Sequence, residues 1–203
     1  MEMRTMRILP VAAMAVLGLA AALGCGGKTS YNVPQVDSVS PSQAKVGDSV
    51  VLAGAYFKGI QTVSFGDARA IIFSVDSDTH ITATVPNEAI TGNVTVMNGK
   101  GVGTCYDAFT VVPTITGLAL VSDSGTTPII FRLTGSGFFG TTKVTVAGTD
   151  ASFTINDQST LTVNSTTTGT VVVTASGLTA TWSETWSAGT PATPVASTAS
   201  SAS

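Results

Sequence analysis

The sequence has few charged residues, one histidine and two cysteines. Charged residues make up 10% of the 203 residues, against about 25% in a typical soluble domain. The nine basic residues are scattered and the formal charge is −3, which argues against a nucleic-acid partner, because such binding needs clustered Lys and Arg. A single histidine, two cysteines and the lack of a G-x-S-x-G motif lead us to predict no enzyme activity, no metal and no cofactor.

A long amphipathic helix pattern is also missing after residue 30. Apolar residues there do not recur at the 3.6-residue spacing that marks the buried face of a helix. Thr, Ser, Gly, Val and Ala are abundant instead, and these residue types favour strands and turns. The composition therefore predicts an all-β protein.

The first 24 residues are predicted to be a signal peptide. Arg4 and Arg7 give a basic start, and residues 8–23 carry no charge. A membrane-spanning helix is the alternative. It is disfavoured because the apolar run is shorter than the roughly 20 residues needed to span a membrane, and because Pro10 interrupts its start.

Cys25 directly follows this apolar run. The segment Ala22-Leu23-Gly24-Cys25 resembles the lipobox of bacterial lipoproteins, in which the cysteine is acylated and becomes the new N-terminus. This resemblance implies a lipid-anchored protein of the bacterial cell envelope, at the outer membrane or cell surface. Residues 25–33 would then form a lipidated tether.

A second way of processing the N-terminus stays open. Cleavage after Ala20-Ala21-Ala22 would release a secreted protein that begins at Leu23. That protein keeps both cysteines, and an exported pair can oxidise to a disulfide between Cys25 and Cys105.

The sequence from residue 34 onward repeats itself. The segment GAYFKGIQTVSFG from Gly54 matches GSGFFGTTKVTVAG from Gly135, and FSVDSDTHIT from Phe73 matches FTINDQSTLT from Phe153. The period, near 80 residues, is too long for a solenoid repeat. It predicts two tandem domains, each large enough to form its own core.

Each copy consists of short strand-like segments broken by turn residues. In the first copy they lie near residues 36–39, 49–54, 62–65, 70–74, 80–85, 93–97 and 108–111. Apolar residues alternate in several of them, which is typical of a sheet with one buried face. Seven short strands predict an antiparallel β-sandwich, and Asn98-Gly99 predicts a tight hairpin after the sixth strand.

The first copy resembles the IPT/TIG family, whose domains have an immunoglobulin-like fold. The residues that carry the resemblance are Pro34, Ser40-Pro41, Val46-Gly47, Gly54, Phe57, Val63, Phe65-Gly66, Ile81 and Val85-Pro86. It covers residues 34–112. Residues 113–186 form a degenerate second copy without the S-P and V-G pairs, and residues 187–203, rich in Ser, Thr, Ala and Pro, are predicted to be disordered.

The resemblance implies a non-catalytic role, because IPT/TIG domains act as interaction and spacer modules in surface receptors, adhesins and carbohydrate-active enzymes. Our first interpretation is therefore protein interaction or spacing at the cell surface. The alternatives are a carbohydrate-binding module, in which Tyr56, Phe139 and Trp182 stack on sugar rings, and a structural assembly subunit.

Overall fold

The computed structural model describes residues 33–122, 128–183 and 199–200. Its regular structure consists of eighteen strands and one short 3-10 helix in this part of the chain, which confirms the predicted all-β fold. Within those ranges we find no helix with the length and apolar character needed to cross a membrane. The predicted signal peptide and nearly all of the predicted tail lie outside the described residues.

The first sandwich contains nine strands. They are β1 (Gln35–Ser40), β2 (Gln43–Ala44), β3 (Ser49–Ala55), β4 (Ile60–Phe65), β5 (Ala68–Arg69), β6 (Phe73–Val75), β7 (His80–Thr84), β8 (Gly92–Asn98) and β9 (Gly101–Val111). One sheet has the order β1-β3-β7-β6 and the other has the order β2-β9-β8-β4-β5. Neighbouring strands are antiparallel except β2 and β9, which are parallel.

The second sandwich repeats this arrangement. Its strands are β10 (Thr114–Ser122), β11 (Ile129–Ser136), β12 (Thr141–Val146), β13 (Thr149–Asp150), β14 (Ser152–Asp157), β15 (Thr160–Ser165), β16 (Val171–Ala175), β17 (Leu178–Trp182) and β18 (Ala199–Ser200). The sheets have the orders β10-β11-β15-β14 and β13-β12-β16-β17-β18. The 3-10 helix Phe138–Gly140 connects β11 to β12.

Each sandwich has its own apolar core, one between Val36 and Val111 and the other between Ile115 and Trp182. The cores follow from alternation along the strands. In β8, for example, Val94 and Val96 are buried while the residues between and beside them are more exposed. Burying a Val or Phe side chain in this way contributes roughly 1.5–3 kcal/mol, so each sandwich is stabilised by its own core.

The first strands of the two sandwiches differ because one of them is followed directly by a proline. Pro41 has no backbone N–H, so the ladder of β1 ends at Ser40 and the chain crosses to the other sheet, where β2 lies beside β9. The second sandwich has no proline there. Its β10 continues along β11 for nine residues, and β18 occupies the place beside β17.

Two strand predictions in the first sandwich need correction. The last strand begins at Gly101 rather than at residue 108, because Asn98 closes a hairpin with its side-chain oxygen accepting from the N–H groups of Lys100 (2.8 Å) and Gly101 (3.2 Å). The strand predicted at 70–74 begins at Phe73. Ala70 still lies beside β4, since its N–H donates to the carbonyl of Val63 at 2.8 Å.

The connection between the sandwiches is short and packed. The N–H of Val112 donates to the carbonyl of Ala44 at 2.9 Å, which ties the connection to the first sandwich. On the other side Gly137 lies against Pro113, so close that an added Cβ would be 3.0 Å from the proline Cα. Both sandwiches therefore contact the connection.

Candidate functional site

A cleft of about 1250 Å³ lies between the two sandwiches. The first sandwich contributes the end of its fold that holds the β4–β5 turn and the loop 86–91. The second contributes the β11–β12 loop, the β14–β15 turn and the β16–β17 turn. The lining residues are Val46, Asp67, Ala68, Asn87, Glu88, Ile90, Thr91, Thr114, Thr116, Gly135, Ser136, Phe139, Gly140, Asp157, Gln158, Ser159 and Ser176.

The β11–β12 loop presents one aromatic ring to this cleft. Gly137 adopts a left-handed conformation (φ 74°) that turns the chain into the 3-10 helix. Phe138 then enters the core with no exposed surface, and Phe139, the next residue, is 52% exposed. The turn therefore buries the ring of Phe138 and leaves the ring of Phe139 accessible to solvent.

Gln158 fixes the position of this loop. Its Oε1 accepts from the N–H of Phe139 at 3.2 Å, and its Nε2 donates to the carbonyl of Ala89 in the first sandwich. The side chain is only 6% exposed. One buried amide therefore accepts a hydrogen bond from its own sandwich and donates one to the other sandwich.

The side chains of the cleft carry negative charge. Asp67, Glu88 and Asp157 line it, and no Lys, Arg or His is among its described lining residues. Hydrogen bonds from the Ser159 hydroxyl and N–H, both 2.8 Å, lower the pKa of Asp157 below its ordinary value of 3.8. This carboxylate is therefore ionised at neutral pH.

Two of the predicted aromatic site residues are exposed, but they lie apart. Phe139 lines the cleft. Tyr56, 39% exposed, follows the last residue of β3, whereas the cleft residue Val46 lies shortly before the first residue of this strand. The seven residues of β3 span about 20 Å, so Tyr56 and Phe139 cannot contact the same sugar ring.

The prediction for Trp182 is wrong. Its side chain is 2% exposed and packs in the core of the second sandwich, so it cannot stack on a ligand in solvent. It pairs with Val171 on β16, as Cys105 pairs with Val94 on β8. Trp182 thus fills the place that Cys105 takes in the first sandwich.

Cys105 is buried and disulfide-bonded. The other cysteine of the sequence, Cys25, lies outside the described residues, and so does the predicted lipobox.

The lone histidine lies in a small cluster of hydroxyl groups. His80 Nδ1 is 3.0 Å from the Thr79 hydroxyl and 3.5 Å from that of Ser77. The neighbouring carboxylates have local partners, because Asp76 accepts from the hydroxyl of Thr82 at 2.7 Å and Asp78 from the N–H of Lys58 at 3.0 Å. These contacts stabilise a turn and do not assemble an acid–base pair around His80.

Sequence reasoning missed Gln158. The signal was present in the repeat, where Gln158 aligns with Asp78 and Phe139 with Lys58. The two positions change together from charged to uncharged residues at the end of the second sandwich that faces the first.

The family described as IPT/TIG domain matches residues 34–112. This is less than half of the chain, and the match coincides with the first sandwich. No curated protein matches the sequence.

Several solved structures are similar at low identity. Surface glycan-binding protein PbSGBP-B from Prevotella bryantii is 16% identical with a TM-score of 0.47, over 78% of this chain and 42% of that one. SGBP-B from a complex xyloglucan utilization locus in Bacteroides uniformis is 17% identical with a TM-score of 0.34, over 75% and 49%. The gamma-CGTase of alkalophilic Bacillus clarkii is 16% identical with a TM-score of 0.35, over 75% and 25%. The chain spans less than half of each, and at these TM-scores the similarities say nothing about ligand or activity.

Proposed function

We propose that the protein is a non-catalytic glycan-binding protein of the bacterial cell envelope and that it binds neutral polysaccharide in the cleft between its two sandwiches. The observation that carries the proposal is the ring of Phe139, 52% exposed at the wall of a polar cleft. A large apolar surface left in water at a concave site is typical of a binding site.

The chemistry of the cleft matches a sugar better than an apolar ligand. Sugar rings present C–H groups on their faces and hydroxyl groups around their edges. Phe139 supplies an apolar face for the ring, and the hydroxyl, amide and carboxylate groups of Thr116, Asn87 and Asp157 are hydrogen-bonding groups of the kind that hydroxyls require.

The charge of the cleft selects neutral sugars. Three carboxylates without a basic residue among the described lining residues repel the uronate groups of acidic polysaccharides. Neutral hydroxyl groups, in contrast, donate well to carboxylates.

The test compares the variants Phe139→Ala and Lys58→Ala, which change equivalent positions of the two repeats. The probes are soluble xyloglucan and mixed-linkage glucan as neutral polysaccharides and polygalacturonate as an acidic one. We expect Phe139→Ala to weaken binding of a neutral glucan about tenfold, because about 1.4 kcal/mol of ring contact is lost. Lys58→Ala should bind like the wild type, and the glycans should be recovered uncut.

Isothermal titration calorimetry with these glycans decides between the interpretations. Wild-type protein that binds no polysaccharide on a broad neutral panel would contradict the proposal, and protein interaction or spacing would become the better account. Binding that survives Phe139→Ala and is lost in Tyr56→Ala would place the site at the other end of the first sandwich.

We further propose that residues 1–24 are removed on export and that Cys25 carries lipid, with residues 25–33 as a tether to domains at 34–112 and 113–186 and a C-terminal tail at 187–203. The lipobox-like sequence supports this anchor. The disulfide-bonded Cys105 supports the secreted alternative, because a sulfur atom joined to lipid cannot also form a disulfide with Cys105.

The intact mass of the mature protein separates these two fates of Cys25. Acylated protein in the membrane fraction, released by Cys25→Ala, is the result that the anchor requires. A soluble chain that begins at Leu23 and is lighter than its reduced form by two hydrogens would overturn the anchor while leaving the glycan site untouched.

A further inference from the structure

We infer that Gln158 is a positioning residue that holds the two sandwiches in one relative orientation and thereby shapes the cleft. The effect on ligand affinity rests on the proposed function, whereas the effect on orientation does not. Gln158 is buried, with 6% exposure, at the boundary between the sandwiches.

Both ends of this amide are used, and they are used on different sandwiches. Oε1 accepts from the N–H of Phe139, and Nε2 donates to the carbonyl of Ala89. Ala89 is itself buried and held in a turn, since its N–H donates to the carbonyl of Pro86 at 3.1 Å. A rotation of one sandwich against the other would break the second bond and leave buried polar groups without partners, which is unfavourable.

The equivalent residue of the first sandwich shows what the amide adds. Asp78 accepts from the N–H of Lys58 at 3.0 Å, just as Gln158 accepts from that of Phe139. A carboxylate supplies no donor at neutral pH. The repeat therefore keeps the loop-closing acceptor in both copies and gains a donor in the copy whose loop meets the other sandwich.

The bond to Ala89 complements the short connection. Val112 and Pro113 join the sandwiches at one place, through the contacts with Ala44 and Gly137. A single point of attachment still allows rotation about itself. A second, separate attachment at Gln158 and Ala89 removes this freedom, so Phe139 stays at a fixed distance from the opposite wall formed by the loop 86–91.

The variant Gln158→Glu separates the two roles of the side chain. Glutamate keeps an oxygen for the N–H of Phe139 and loses the donor to Ala89, whereas Gln158→Ala loses both. Asp78→Asn is the matched control, because it exchanges a carboxylate for an amide at the equivalent loop, far from the boundary. The measurement is the alignment of each sandwich from residual dipolar couplings of the full mature chain.

In the wild type and in Asp78→Asn we expect one alignment tensor to fit both sandwiches. In Gln158→Glu and Gln158→Ala the two tensors should differ, while the amide shifts within each core stay as in the wild type. The affinity for a neutral glucan should fall about fivefold, as expected for one lost hydrogen bond.

A shared tensor in Gln158→Glu would overturn the inference, because a purely local role in closing the loop is preserved by glutamate. This result would leave the glycan proposal standing. A wild type with a shared tensor and no affinity for glycans would contradict the glycan proposal and leave the inference about orientation standing. The two proposals can therefore fail independently.

Discussion

The β3–β4 loop of the first sandwich and the β11–β12 loop of the second have similar backbones and different surfaces. In both, a glycine N–H donates to the carbonyl of the β-turn opposite, from Gly54 to Thr79 at 3.0 Å and from Gly135 to Ser159 at 2.9 Å. A Cβ added to either glycine would lie 1.9 Å from a backbone oxygen of the adjacent strand. The conserved spacing of glycine and core phenylalanine therefore builds the loop twice.

The residues that differ decide what each loop does. Lys58 in the first loop becomes Phe139 in the second, and the left-handed residue Tyr56 (φ 62°) becomes Gly137 (φ 74°). Tyr56 is 39% exposed, whereas Gly137 lies against Pro113. The loop thus carries a partly exposed tyrosine in one copy and meets the connection between the sandwiches in the other.

The largest expected effect concerns the core of the second sandwich. Trp182→Ala should lower the free energy of unfolding by about 4 kcal/mol, because it removes a fully packed aromatic side chain. Tyr106→Ala, at a 67% exposed position of the first sandwich, is the control and should change it by about 0.5 kcal/mol or less. Urea unfolding measures both, and a Trp182→Ala variant of wild-type stability would contradict the burial of this ring.

A smaller effect on the free energy of unfolding is expected from substitutions at the two left-handed positions, Tyr56 and Gly137. Gly137→Ala should destabilise the protein by about 1–2 kcal/mol, because a Cβ there combines left-handed strain with a 3.0 Å approach to Pro113. Tyr56→Gly should instead stabilise the first sandwich by about 0.5–1 kcal/mol, since it relieves the strain of a non-glycine residue in the left-handed conformation.

The midpoints of urea unfolding for these two variants test whether the loops are equivalent. Shifts of the same sign would contradict the account, because they would mean that the contact with Pro113 has no influence on the second loop.

The smallest effect is the pH dependence that comes from Asp157. Its folded pKa lies below 3.8, so its hydrogen bonds with Ser159 contribute stability above that pH and lose it as the pH falls through the folded pKa. Asp157→Asn should therefore flatten the decrease of Tm between about pH 5 and pH 2. A steeper decrease in the variant, measured by thermal unfolding at a series of pH values, would contradict the assigned direction.

Much of the fold was predictable because it depends on local patterns. Alternating apolar residues identified the strands, and the repeat of glycine and phenylalanine identified a second copy of the first. Alternation also predicts the burial of Trp182, because this residue shares a face of β17 with buried Ala180. We missed it because exposure was judged from residue type rather than from position in the strand.

The cleft was not predictable in the same way. It depends on the relative orientation of two sandwiches, which no periodicity within one strand encodes. The start of β9 was missed for a related reason, since the hairpin after Asn98 is set by side-chain hydrogen bonds to the backbone. Phe139 was found because an aromatic residue beside a core aromatic residue stands out in the sequence, whereas Gln158 does not.

The most direct test of the glycan site is a titration of isotope-labelled protein with a neutral glucan oligosaccharide, followed through its backbone amide shifts. The account predicts that the shifts cluster on the amides of Phe139, Gln158 and Glu88, on both walls of the cleft. Shifts confined to the neighbourhood of Tyr56, or none at millimolar ligand, would contradict it.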